Sequence, residues 1–185
     1  MRPLSPLPDW VALEHSVAQI LTQQELHGWY FDERAAWELE CSLRKELEEL
    51  SRVLRNRHPF VAGSIFTPKR NNKTQGYVEG CEIQRLKELN PTSRDHIAWI
   101  LTFHYGWTPS SISSNGKPVV DEIILKDIGT DIALNFLRCL ELKKAIGMMS
   151  EGVNAWLKLV TTSSRIHHHC SVATNTFRCS HRKPN

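Results

Sequence analysis

A chain of 185 residues that is 41% hydrophobic and 23% charged has the apolar content of a folded protein and room for one ordinary domain or two small ones. That composition excludes disorder over most of the length, and no run approaches the roughly 20 consecutive apolar residues that cross a bilayer. A net charge of +3 is too small to name a polyanionic partner, and the five cysteines, an odd number with no C-x-x-C pair, read as free thiols of a reducing compartment.

Residues 1–10 are a proline-rich leader without an apolar core of signal-peptide length, so a cytoplasmic chain with no membrane partner is expected. Leu13, Val17, Ile20 and Leu21 then recur at helical spacing up to Gly28, predicting a first helix of roughly 17 residues. Asp32 stands where an N-cap belongs. Ala36, Leu39, Leu43, Leu47, Leu50 and Leu54 follow at steps of three and four, with Glu40/Arg44 and Glu48/Arg52 as i,i+4 pairs outside the stripe. A second helix from Glu33 to about Arg57 would be roughly 40 Å long and would end at His58-Pro59.

Periodicity fails from Asn56 to Lys87. Pro59, Gly63, Pro68, the basic run Lys69-Arg70-Asn71-Asn72-Lys73, Gly76 and Gly80 read as a flexible polar connector, 56–87. Asn90-Pro91-Thr92-Ser93 supplies a cap and a proline for a short helix through Ile97, Ile100 and Leu101 to Gly106. After a polar loop, Val119 to Leu125 is a brief apolar segment, and Thr130-Asp131 caps a helix through Ala133, Leu137 and Leu140 towards Met148. Beyond Val160 the sequence turns short, hydroxyl-rich and β-tolerant, and residues 161–185 contain no Asp or Glu. An acid-free end is either a basic tail or a surface that meets phosphates.

Four constellations carry candidate chemistry. His167-His168-His169-Cys170 with Cys179 and His181 contains zinc ligands, but zinc usually takes paired ligands at both corners and adjacent strand histidines face opposite ways, so a polar strand is the preferred reading and no metal site is assigned. Cys170 or Cys179 beside a histidine lacks an orienting carboxylate, so no catalytic residue is assigned. Asp121/Glu122 and Asp127/Asp131 read as helix caps in preference to a cation site. Asn90-Pro91-Thr92-Ser93-Arg94 joins free helix N–H groups, hydroxyls and an arginine, a combination suited to a phosphate as well as to plain capping.

Several stretches, taken in order, are similar to the family A DNA polymerases, the polymerase I class, especially the replicative polymerases of short-tailed bacteriophages. They are Gln23-Gln24-Glu25-Leu26-His27-Gly28-Trp29-Tyr30-Phe31-Asp32, Leu89-Asn90-Pro91-Thr92-Ser93-Arg94-Asp95-His96-Ile97, Gly116-Lys117-Pro118-Val119-Val120-Asp121, and Ile146-Gly147-Met148-Met149-Ser150-Glu151-Gly152 with Ala155-Trp156-Leu157. The most specific is the closing pattern T-x-R-x-S-x-x-x-P-N from Thr176 to Asn185, after Arg165-Ile166-His167.

The resemblance implies a mainly α fold: long antiparallel thumb helices with a small helical tip over residues 11–160, then a short extended segment, 161–185, that begins a palm and is truncated. It implies contacts to duplex primer-template DNA, with Ser93 and Arg94 on backbone phosphates and Arg178 and Asn185 at minor-groove acceptors near the primer end. Lys143 and Lys144, at the end of the returning shaft, join that DNA-binding set. Mg²⁺ is implied for the complete polymerase, and the remaining polymerase domains are implied as partners. The connector resembles a shortened form of the insertion through which well-known phage members bind a host thioredoxin, which leaves a thioredoxin-type processivity factor in doubt as a partner. Phe177 stands where the family usually has glycine. The competing reading is a non-catalytic helical interaction protein, or a split-polymerase subunit, that binds the remaining polymerase portion.

Because two-metal phosphoryl transfer needs carboxylates to hold the ions, and the acid-free last 25 residues offer none, these 185 residues alone are expected to incorporate no nucleotide with Mg²⁺ or Mn²⁺. Template-dependent extension above a mock-purified control would overturn this expectation.

Overall fold

The computed structural model describes residues 8–171 and 179–184. The elements are α1 (Asp9–His27), β1 (Trp29–Tyr30), α2 (Glu33–Arg57), β2 (Phe60–Phe66), β3 (Ile83–Glu88), α3 (Arg94–Tyr105), α4 (Glu122–Ile128), α5 (Asp131–Ile146), a π-helical turn (Gly147–Glu151), α6 (Trp156–Leu159), β4 (Arg165–Ile166), β5 (His169–Ser171) and β6 (Ser180–Arg182). The described chain is mainly helical, and its strands form three antiparallel pairs, β1 with β4, β2 with β3 and β5 with β6. It divides into two compact units, Leu43–Lys144 and a second one made of the residues up to Ser42 together with those from Ala145 onward.

The long helix expected from the leucine spacing forms over the expected residues. Asp32 starts it, its Oδ1 accepting the Ala35 N–H at 3.0 Å. The expected stripe is altered near the start: Leu39 is half exposed, and Glu40 is buried with its carboxylate accepting the Ser150 hydroxyl at 2.7 Å. A buried acid that gains a short hydrogen bond escapes the desolvation cost of an unpaired one.

In the 43–144 unit, Leu54, Val61, Leu89, Ile97, Ile100, Leu101, Leu125 and Phe136 share one core. The Cys139 thiol lies within it, and burial pushes its pKa up to about 11, so this cysteine packs as a small hydrophobe. Outside the core, the Arg138 guanidinium donates two hydrogen bonds to the Glu46 carboxylate, at 2.7 and 2.9 Å. Asp121 caps α4 through the Ile124 N–H at 2.8 Å, in agreement with the capping reading of that acidic pair. Gly106 ends α3 in the left-handed conformation expected of it.

The connector 56–87 requires a correction, because β2 and β3 form a hairpin that occupies much of it. Phe60-Val61-Ala62 pairs with Leu86-Lys87-Glu88, and after a register shift Ile65-Phe66 pairs with Ile83-Gln84. Only Val61 is buried in β2 and no residue of β3 is, so the period-2 pattern that marks a half-buried strand is missing from the sequence. At the far end of the hairpin Asn72 bridges to Tyr77, and its side chain accepts the N–H groups of Thr74 and Gln75.

In the other unit Phe31, Ala36, Met149 and Ile166 form a small core flanked by Trp156, Leu157, Leu159 and Val160. Trp29, Phe31 and Trp156 meet edge to face, with centroids 5.8 to 6.5 Å apart. The β character expected after Val160 is present as β4, β5 and β6.

Truncating the fully buried Phe136 to alanine should cost about 3–5 kcal/mol. Glu46→Gln, which weakens a half-exposed ion pair, should cost less than about 1 kcal/mol. Urea melts of the three proteins check this ranking, and a cost for Glu46→Gln equal to that of Phe136→Ala would contradict it.

Candidate nucleic-acid interface

Ser93 and Arg94 sit together at the start of α3. Asn90 makes the turn into the helix, its Oδ1 accepting both the N–H and the hydroxyl of Thr92. Ser93 occupies the N-cap position with extended backbone and makes no side-chain capping bond, so its hydroxyl does not compete for the first helical N–H groups. Arg94 is exposed, and among the described residues it forms no ion pair. Asp95 would repel an anion here, but the Lys117 ammonium pairs with its carboxylate. The start of α3 therefore presents helix N–H groups and the Arg94 guanidinium with its one carboxylate neutralised, an arrangement that can hold a phosphate oxygen.

Beneath this turn, His96 Nδ1 accepts the Asn90 N–H at 3.0 Å. Burial lowers the pKa of His96, the nearby Lys87 lowers it further, and Asp95 opposes both. Protonating Nδ1 would also replace an accepted hydrogen bond with a clash of two N–H groups.

Lys143 and Lys144 lie at a different place, in the last turn of α5, where positive charge complements the helix dipole. Lys144 is 3.6 Å from the Glu122 carboxylate, so part of its charge is already answered within the protein. The basic run Lys69-Arg70-Asn71-Asn72-Lys73 falls at the end of the β2–β3 hairpin, where Arg85 stacks on Phe66 with its guanidinium carbon 4.5 Å from the ring centre. Arg178 and Asn185, the two residues assigned to the minor groove, lie outside the described residues, as does Phe177.

The stretch Arg165-Ile166-His167 is fastened to the end of α1. Arg165 donates to the His27 and Gly28 carbonyls, both at 3.3 Å, and His167 donates from Nδ1 to the Glu25 carbonyl at 2.8 Å. Glu25 also accepts the Cys170 N–H and lies 3.1 Å from His169 Nδ1. The Cys170 hydrogen bond, followed by the charge and hydrogen bond of His169, holds the Glu25 carboxyl below its usual pKa. Cys170, Cys179 and His181 belong to the histidine and cysteine group that the sequence offers as zinc ligands, for which a polar strand is the preferred reading, and their ligand atoms all lie within 4.8 Å of one another. The available signal was an H-x-C pair facing a C-x-H pair.

No protein-family model matches the chain. It is 30% identical to the DNA-directed DNA polymerase of Escherichia phage T7 and 30% identical to that of Enterobacteria phage T3, each alignment covering 95% of this chain. The chain is a relative of the phage DNA-directed DNA polymerases. It spans 32% of the length of either polymerase, and the likeness takes in residues of both compact units. No described helix is long and apolar enough to cross a membrane.

Buried His58 and partly buried His96 should make the stability of the 43–144 unit depend on pH. His58, hydrogen-bonded through Nε2 to the Tyr105 hydroxyl at 2.9 Å, has its pKa lowered by burial and then by His104 and Arg57. With folded values of His58 and His96 below the unfolded value of about 6.5, the unfolded chain binds more protons in this range. Their stabilising contribution is present above about pH 6.5 and lost as pH falls through the lower folded values. Melting temperatures taken between about pH 7.5 and about pH 5 should drop in the parent and drop less in His58→Gln and His96→Gln. Equal drops in all three would show that these imidazoles do not carry the effect.

Proposed function

We propose that this chain is the duplex-gripping part of a family A-type phage replicative polymerase, with α2 and α5 as thumb shafts, the residues between them as the tip, and β4 to β6 as the beginning of a palm. The observation that carries this reading is the 30% identity to phage DNA-directed DNA polymerases along 95% of the chain. It is supported by the start of α3, where Ser93, Arg94 and the neutralised Asp95 suit a backbone phosphate. The grip is independent of base sequence, because phosphates are uniform along the duplex and minor-groove acceptors are nearly so.

Mg²⁺, which the family resemblance attaches to the complete polymerase, asks for hard oxygen ligands, usually carboxylates. Residues 161–185 contain none, so this stretch does not fit the ion and no nucleotide-transfer step is derived for it. The role proposed for these residues is binding and positioning of DNA.

With ~3–5 phosphate contacts, affinity for a primer-template duplex should fall with salt at a log–log slope of roughly −3 to −4.5. Arg94→Ala should make that slope shallower by about 0.9, the share of a single contact, while leaving the preference among sequences unchanged. Fluorescence anisotropy at several salt concentrations checks both expectations. Salt-independent binding, or a strong preference for one sequence, would exclude the proposal.

A further inference from the structure

The hairpin of β5 and β6, with the residues that flank it, gathers nitrogen and sulfur donors in one place. Cys170 and His181 are direct cross-strand partners, and Cys170 Sγ is 3.0 Å from His181 Nδ1. Cys179 is two residues before His181, which puts its side chain on the same face in extended chain, and the three ligand atoms lie within 4.8 Å of one another. His168 is two residues before Cys170, so it too belongs to that side. Its ring centre is 6.3 Å from that of His181, and its Nδ1 is shut off from solvent with no hydrogen-bond partner among the described residues.

We propose that Cys170, Cys179 and His181 bind a zinc ion, with His168 turning in as the fourth ligand. Zinc sits about 2.3 Å from sulfur and about 2.0–2.1 Å from nitrogen, so the donors of a tetrahedral site are about 3.3–3.8 Å apart. Movements of a few tenths of an ångström to about an ångström bring the three clustered atoms to that spacing. Two thiolates and imidazole select zinc over Mg²⁺ and Ca²⁺, which take oxygen. Binding forms two Zn–S and two Zn–N bonds, releases one proton from each thiol, and leaves the metal and its ligands with no net charge.

The backbone is already braced for this arrangement. Glu25 accepts the Cys170 N–H at 2.5 Å and pairs with His169, so Cys170 is anchored to α1, and the neighbouring His167 and His169 are turned towards α1 and not towards the metal. The ion would fasten residue 170 to residues 179 and 181 and so set the distance between the two ends of the intervening segment. This inference does not depend on the chain gripping DNA.

The test uses the full 185-residue chain, reduced and stripped by a chelator. Co²⁺ should bind at about one per chain with thiolate-to-cobalt charge-transfer absorption and release of about two protons, and Zn²⁺ should then displace it with no further proton release. Cys170→Ser and Cys179→Ser should each weaken that absorption and His181→Ala should lower affinity, whereas Cys41→Ser and Cys81→Ser, in exposed cysteines elsewhere, should change nothing. His168→Ala should weaken binding and His169→Ala should leave the cobalt spectrum unaltered. Circular dichroism of each variant confirms that the helices persist. Zinc binding that survives Cys170→Ser together with Cys179→Ser would overturn the proposal, as would a reduced parent chain that binds no Co²⁺ or that closes a Cys170–Cys179 disulfide in the presence of excess Zn²⁺.

Discussion

The constraint on which the unit containing the chain's last residues depends is the turn at Gly28. Its φ is +63°, and a Cβ there would come within 2.8 Å of the Ile166 carbonyl and about as near to the His167 ring. Only glycine combines that backbone with that approach. Because β4 can run this close, Arg165 reaches the carbonyls at the end of α1, β1 pairs with β4, and Ile166 enters the small core beside Phe31. A side chain at residue 28 would push β4 away and separate all three groups of contacts together.

The same junction gives the acid-free end its electrostatic partner. Within residues 161–185 every formal charge is positive, yet Arg165, His167 and His169 are directed at α1, two of them to backbone carbonyls and the third to the Glu25 carboxylate. Reading the stretch by composition alone treats those donors as free for phosphate, whereas the fold has already engaged them. In the 43–144 unit the reverse holds at the start of α3, where Lys117 neutralises Asp95 and leaves Arg94 exposed.

What the sequence made legible was whatever a local period or a single capping residue could encode. The leucine steps located α2, Asp32 and Asp121 marked helix starts, and Gly106 marked an end. The β2–β3 hairpin was hidden because its strands are mostly exposed and carry no alternation. Burial of Glu40 has no local sign in the sequence, because its partner, Ser150, lies 110 residues away. At the candidate interface, Ser93 and Arg94 could be found from local capping chemistry, whereas the ion pair that relieves Asp95 comes from Lys117 in a distant loop. The convergence of Cys170 with Cys179 and His181 depends on cross-strand register, which spacing along one strand does not contain.

The hairpin in the 43–144 unit also has to remain soluble. A two-stranded ribbon has two outer edges whose backbone groups could template another chain, and this one exposes Phe60, Ile65 and Leu86 beside them. Its register shift between Ala62 and Ile65 interrupts the flat ladder that an incoming strand would need. Gln84 seals the lapse by donating its side-chain amide to the Gly63 and Arg85 carbonyls, at 2.7 and 3.2 Å. Arg85, Lys87 and Glu88 then place charge along β3, where a further strand could be laid down only by desolvating it. The register shift of β2 and the charges of β3 together oppose self-association along these edges.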